Sequence, residues 1–137
     1  MRIKALWLLV LLSFLAVLPV QAKPSAKISK DLQTALTAYA KAVRWNEFQL
    51  ASEMQDPRLI VDGFTEEQEA YYAAFQVSGY RAKYSQWLDE SNYSQRVEIM
   101  LIDTETQTQR SVTDRQTWHY DPEAKRWWLT SGLPRLD

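Results

Sequence analysis

The chain has no cysteine, one histidine and three glycines in 137 residues, and each shortage removes a class of chemistry. Without cysteine there is no disulfide framework, no thiol nucleophile and no thiolate metal site. One histidine among scattered carboxylates supplies no zinc ligand set, and Glu66-Glu67-Gln68-Glu69 reads as the acidic start of a helix rather than a calcium loop. Gly63, Gly79 and Gly132 are too dispersed for a phosphate loop, and turns or element ends account for them. His119 lies between two aromatic residues in a strand pattern with no second acid–base group identified near it, so it reads as structural. No catalytic residue, metal ligand or cofactor is assigned. An excess of either sign is lacking too: 16 basic and 17 acidic residues give a net charge of −1, which argues against bulk binding to nucleic acid.

Long apolar runs are confined to the start. Arg2 and Lys4 precede an apolar stretch from Ala5 to Val20 that ends at Val20-Gln21-Ala22, the order of a secretory signal peptide with cleavage expected after Ala22. The run is short for a membrane span and Pro19 interrupts its end; an uncleaved anchor is the alternative. Lipoprotein anchoring needs a cysteine and is excluded. On this reading residues 1–22 are a signal peptide, 23–29 a flexible leader and 30–137 one domain, with no stable membrane anchor after cleavage. Loss of Arg2 and Lys4 turns 16 basic and 17 acidic groups into 14 and 17, a net charge of −3. An exported domain without disulfides must be held together by buried apolar surface, which suits a periplasm, with secretion the alternative. Asn92-Tyr93-Ser94 matches a glycosylation acceptor that matters only in a eukaryotic source.

The remainder divides into a helical half and a strand half. Leu32, Leu36, Tyr39 and Val43 recur at helical spacing behind Ser29 as N-cap; the phase slips near Arg44 to Asn46, so Asn46 is expected to cap a second short helix ending before Pro57. Thr65 and Gln68 form a capping box for a third helix running to about Gln76, with Ser78-Gly79 as its stop. Period-two alternation follows, with strands expected over 80–88, 93–102, 110–120 and 126–130 and a turn at Asp121-Pro122. Short connections imply an antiparallel meander with the helices on one face, an α+β fold.

Helices followed by a curved antiparallel sheet that closes with Trp118-His119-Tyr120 and Trp127-Trp128-Leu129 across a tight turn resemble the NTF2-like, or cystatin-like, α+β superfamily. The resemblance covers roughly Leu32 to Leu133. It implies a small exported domain of a set that includes ligand carriers, transport adaptors and ketosteroid isomerase-like enzymes, and so leaves function open.

Alternation sorts the strands into two faces. The core face carries Tyr80, Ala82, Tyr84, Leu88, Tyr93, Val97, Ile99, Leu101, Val112, Trp118, Tyr120, Trp127 and Leu129. Asp114 and Gln116 share that parity, and burying them needs compensation. In an NTF2-like cone they would face a cavity and, flanked by Tyr84, Trp118 and Tyr120, bind a small apolar or aromatic ligand; alternatively a bulge turns them outward. The opposite face holds Trp87, Arg96, Met100, Ile102, Arg115, His119 and Trp128, a mixture of arginine and large apolar groups typical of interaction surfaces. A protein partner or a homodimer on this face is the leading expectation, unless the leader or residues 132–137 cover it. The second is a carrier or isomerase-like pocket in which Asp114 is the polar or basic group and Tyr84 or Tyr120 donates a hydrogen bond.

Overall fold

A computed structural model describes residues 24–137 of the chain; the expected signal peptide lies outside the described residues. Three α-helices, α1 (Ala26–Arg44), α2 (Phe48–Ser52) and α3 (Glu66–Ala73), precede four strands, β1 (Phe75–Asp89), β2 (Asn92–Asp103), β3 (Gln109–Asp121) and β4 (Arg126–Leu129). The strands form one antiparallel sheet in the order β1-β2-β3-β4, the α+β meander expected from the short connections.

Helix α1 starts four residues before the expected Ser29 cap. The Ser25 hydroxyl accepts from the Ile28 amide at 3.2 Å, so 26–29 belong to the helix and not to a loose leader. Its stripe of Leu32, Tyr39, Ala42 and Val43 is buried against the sheet, while Lys41 and Arg44 sit in the last turn, where the helix dipole favours cations. The expected phase break is real, but Asn46 resolves it differently. It takes a left-handed backbone conformation (φ 58°), which asparagine tolerates, and Glu47 rather than Asn46 occupies the cap position of α2. The freed Asn46 amide donates to the Phe75 carbonyl at 2.6 Å and accepts from the Val77 amide at 2.9 Å, bolting the α1–α2 corner to the start of β1.

The capping box at α3 forms as expected, with Gln68 N donating to Thr65 Oγ1 at 3.1 Å and Thr65 N to Gln68 Oε1 at 3.2 Å. The helix ends at Ala73, and β1 begins at Phe75 instead of Tyr80, because Phe75 and Val77 already alternate into the core and the Asn46 amide satisfies their backbone. Gly79 is therefore inside a strand and not a helix stop. It follows a register shift between Val77 and Gly79, and the Met100 side chain fills the space a Cβ would need there.

One core joins helix and sheet. Trp118 and Trp127 are its largest fully buried side chains; Trp118 meets Tyr39 edge-to-face at 5.4 Å, and the Trp127 indole donates to the Ile28 carbonyl at 3.0 Å. The outer edge of β4 is covered by residues 54–56: Leu129 N donates to Met54 O at 2.8 Å, and Asp56 N to Leu129 O at 2.9 Å. The Asp56 carboxylate, held below its ordinary pKa chiefly by hydrogen bonds from Arg58, starts the short 3-10 turn at Pro57. Residues 132–137 do not cover the outer sheet face. Pro134 and Leu136 are buried beside α3, the Tyr72 hydroxyl donates to Pro134 O at 2.9 Å, and Arg110 donates to the Leu136 carbonyl.

Candidate functional site

Strand β1 decides which side chains are available for binding. A second register shift, between Ala82 and Tyr84, leaves Lys83 as an extra residue. An inserted residue exchanges the faces of everything after it relative to simple alternation. Tyr84 consequently pairs with Arg96 on the outer face and is half exposed, while Trp87 pairs with Tyr93 on the inner face. These two residues occupy each other's expected sides. Trp87 packs edge-to-face on Tyr93 at 5.3 Å and on Trp127 at 5.7 Å. Leu88, also expected in the core, is exposed at the next shift.

Strand β3 has no such irregularity against β2, so Asp114 and Gln116 do point inward and are buried; the bulge that would turn them out is absent. Gln116 satisfies all four of its hydrogen-bonding positions. Its amide nitrogen donates to Asp114 Oδ2 at 2.8 Å and to the Tyr80 hydroxyl at 2.9 Å, and its oxygen accepts from Gln95 Nε2 at 2.9 Å and from the Trp118 indole at 3.2 Å. This resolves the cost of two polar groups in the core. Burial raises the pKa of Asp114, opposed by the Gln116 hydrogen bond, and burial pushes Tyr80 up to about 12. The Tyr39 hydroxyl lies near the same cluster, is buried and has no hydrogen-bond partner; burial and then the Asp114 charge raise its pKa.

Two members of this network, Tyr80 and Gln95, reach an open cleft of about 710 Å³ between α1 and the inner face of β1 and β2. The sheet wall adds Ala82, Ser85 and Tyr93; the helix wall presents Leu36, Ala40, Lys41 and Arg44, with Trp45 at the corner beyond them. Neither cation has a carboxylate within ion-pair distance among the described residues. Of the residues expected to line a pocket, Trp118 and Tyr120 are instead packed in the core, and Tyr84 is on the other face. Asp114 and Gln116 stand behind the cleft wall and connect to it through Tyr80 and Gln95.

On the outer face, Arg96 and Arg115 are directly opposed across β2 and β3, both exposed, and Arg96 lies 5.2 Å over the Tyr84 ring. His119 and Trp128 are adjacent across β3 and β4; the His119 Nδ1 is 2.9 Å from Asn92 Oδ1, and the Arg126 guanidinium stacks on Trp128 at 3.8 Å. With Trp87 on the inner face and Met100 against Gly79, the expected apolar patch is smaller, but Ile102 and Trp128 remain part-exposed beside the arginines, with Tyr84 standing on the same face. Tyr39, Gln95 and Trp45 escaped the sequence reading. Gln95 has a legible signal, because it shares the parity of Tyr93 and Val97, whereas Tyr39 reads as an ordinary core aromatic of the first helix and Trp45 falls in the break between two helices. No group of three or more His, Asp or Glu side chains that would hold a metal ion exists among the described residues, and no described helix is long and apolar enough to cross a membrane.

No family model matches the chain. A search of curated proteins finds no match. Solved structures do share its fold. A SEC-C motif-containing protein from Rhodopseudomonas palustris superimposes with a TM-score of 0.53 at 16% identity, over 77% of each chain. A second, a SEC-C motif-containing protein from Psychrobacter arcticus, gives 0.51 at 10% identity, over 86% of this chain and 66% of the other. These likenesses support helices packed on a four-stranded antiparallel sheet and nothing finer, so the NTF2-like resemblance is not confirmed by them.

Proposed function

We propose that the chain is an exported binding domain that takes a small amphipathic anion into the cleft between α1 and the first two strands. The observation that carries this reading is the make-up of the two cleft walls. One bears Lys41 and Arg44 without carboxylate partners; the other bears Tyr80, Ala82 and Tyr93 with the Gln95 amide held in place from behind by Gln116. An apolar body fits against the sheet while an acidic head meets the cations, the usual division of labour in a ligand site. Asp114 is then a positioning group, acting through Gln116 on the wall. Export is the reading of the first 22 residues, and recovery from a periplasmic extract of a protein whose first residue is Lys23 checks it.

Fluorescence titration with an anilinonaphthalene sulfonate, an aromatic anion, tests the cleft. Binding should weaken about tenfold in Lys41→Glu/Arg44→Glu and vanish in Ala82→Trp, which fills the cleft; binding indifferent to Ala82→Trp removes the reading.

A second reading places a protein partner, a second copy included, on the outer sheet face. Its support is the Arg96–Arg115 pair, two like charges held opposite each other without a carboxylate on either. Light scattering across concentration, on the parent protein and on Arg115→Glu, tests self-association there; a strict monomer leaves only a foreign partner.

A further inference from the structure

A second opening adjoins the cleft at the α1–α2 corner, where Arg44 and Trp45 line both. An open groove of about 950 Å³ runs between α2, α3 and the first residues of β1. Its floor is aromatic: Phe48 stacks on Tyr72 at 4.1 Å, and Phe64 on Tyr72 at 6.3 Å. Two exposed apolar side chains line it, Trp45 at 72% and Leu50 at 50%. Exposing a tryptophan this fully forgoes burial that a chain of this size would otherwise use. The position is also rigid, because Asn46 next to Trp45 is bolted to Phe75 and Val77.

The charges around the groove are lopsided. Glu47, Glu53 and Glu69 line it against Arg44 alone, and none of the three glutamates has an ion-pair partner among the described residues. We infer that this groove docks a cationic polypeptide segment carrying apolar side chains, which seat beside Trp45 and Leu50 while its basic residues meet Glu47, Glu53 and Glu69. The sign of the rim selects this occupant over an acidic segment, and the exposed tryptophan and leucine supply the anchor contacts that dominate such interfaces.

The test uses fluorescence anisotropy of two labelled synthetic helices of equal length, one of lysine and leucine and one of glutamate and leucine, added to the purified protein. The lysine–leucine helix should bind, the glutamate–leucine helix should bind at least tenfold more weakly, and Glu53→Lys/Glu69→Lys should weaken the first by tenfold or more. Glu66→Lys/Glu67→Lys makes the same change in net charge outside the groove and should leave binding within about twofold; Leu50→Asp should weaken it without altering Glu53 or Glu69. All five positions are exposed, so the variants are expected to fold. Equal binding of both helices, equal loss in the two charge-reversed variants, or indifference to Leu50→Asp overturns the inference. A dimer that Leu50→Asp dissociates would put a second copy in the groove and overturns it as well. Glu53, Glu69 and Leu50 do not line the cleft, so these variants should leave the sulfonate titration unchanged; Arg44 and Trp45 line both sites and are left intact in this test.

Discussion

Strands β1 and β3 have similar lengths, 15 and 13 residues, and opposite characters. β3 is paired along both edges, keeps one register against β2, and buries every second side chain from Asp114 to Tyr120. β1 is paired on one edge, shifts register three times, and is exposed from Arg81 to its end. α1 packs Tyr39 on Trp118 and its first turn on Trp127, while β1 beyond Arg81 stays exposed. Three register shifts put extra residues into β1, and the cleft lies between α1 and Tyr80, Ala82 and Ser85 of that strand. A buried β3 and an exposed far half of β1 thus coexist in one sheet.

Substitutions can break this contrast at either end. Trp118→Ala, in the covered half against Tyr39, should cost about 3–5 kcal/mol in urea unfolding. Gln116→Leu strands the polar groups of Asp114, Tyr80, Gln95 and Trp118 together, for a loss of about 2–3 kcal/mol in the same assay; adding Gln95→Leu should recover part of it if the network is one unit. Asp114→Asn keeps an acceptor for Gln116 and removes a charge that burial disfavours. Because the folded-state pKa of Asp114 is raised, the native state holds its proton more tightly, and stability declines as pH rises from the ordinary carboxylate value through the raised one. The variant should therefore melt higher than the parent at pH 7, with the gap closing toward pH 4. Smallest is the exchanged pair: Trp87→Ala should cost about 1–2 kcal/mol through its contacts with Tyr93 and Trp127, and Tyr84→Ala less than about 0.5. The reverse order would place the register shift elsewhere.

Where the chain keeps a regular period, its side-chain placement was legible. Tyr93, Val97, Ile99, Leu101, Trp118, Tyr120, Trp127 and Leu129 are buried as alternation requires, and the Thr65–Gln68 cap was visible as a local pattern. What was illegible has local causes. A bulge at Lys83 carries no composition signal, since lysine is equally at home on an exposed strand, and Tyr84 and Trp87 changed sides because of it. Asn46 looked like a helix cap because asparagine favours both caps and left-handed corners; only its distant partners at Phe75 and Val77 distinguish the two. For the site, Asp114 and Gln116 stood out as polar residues on an apolar face, but their connection to a cleft through Tyr80 and Gln95 is a matter of three strands meeting in register.

The indole of Trp127 and the carbonyl of Ile28 are 99 residues apart in sequence, and their bond joins the first turn of α1 to the last strand. Between them each strand of the meander pairs with the one before it, while the helices meet the sheet through distant contacts such as Tyr39 on Trp118 and Met54 on Leu129. The order of assembly follows from that spacing: the hairpins can form as the chain lengthens, but α1 has nothing to close against at β4 until the C-terminal residues arrive. A chain stopped before Arg126 would lack the latch together with Trp127, Leu129 and Leu136 of the core, and should be cut by a protease that the finished domain resists.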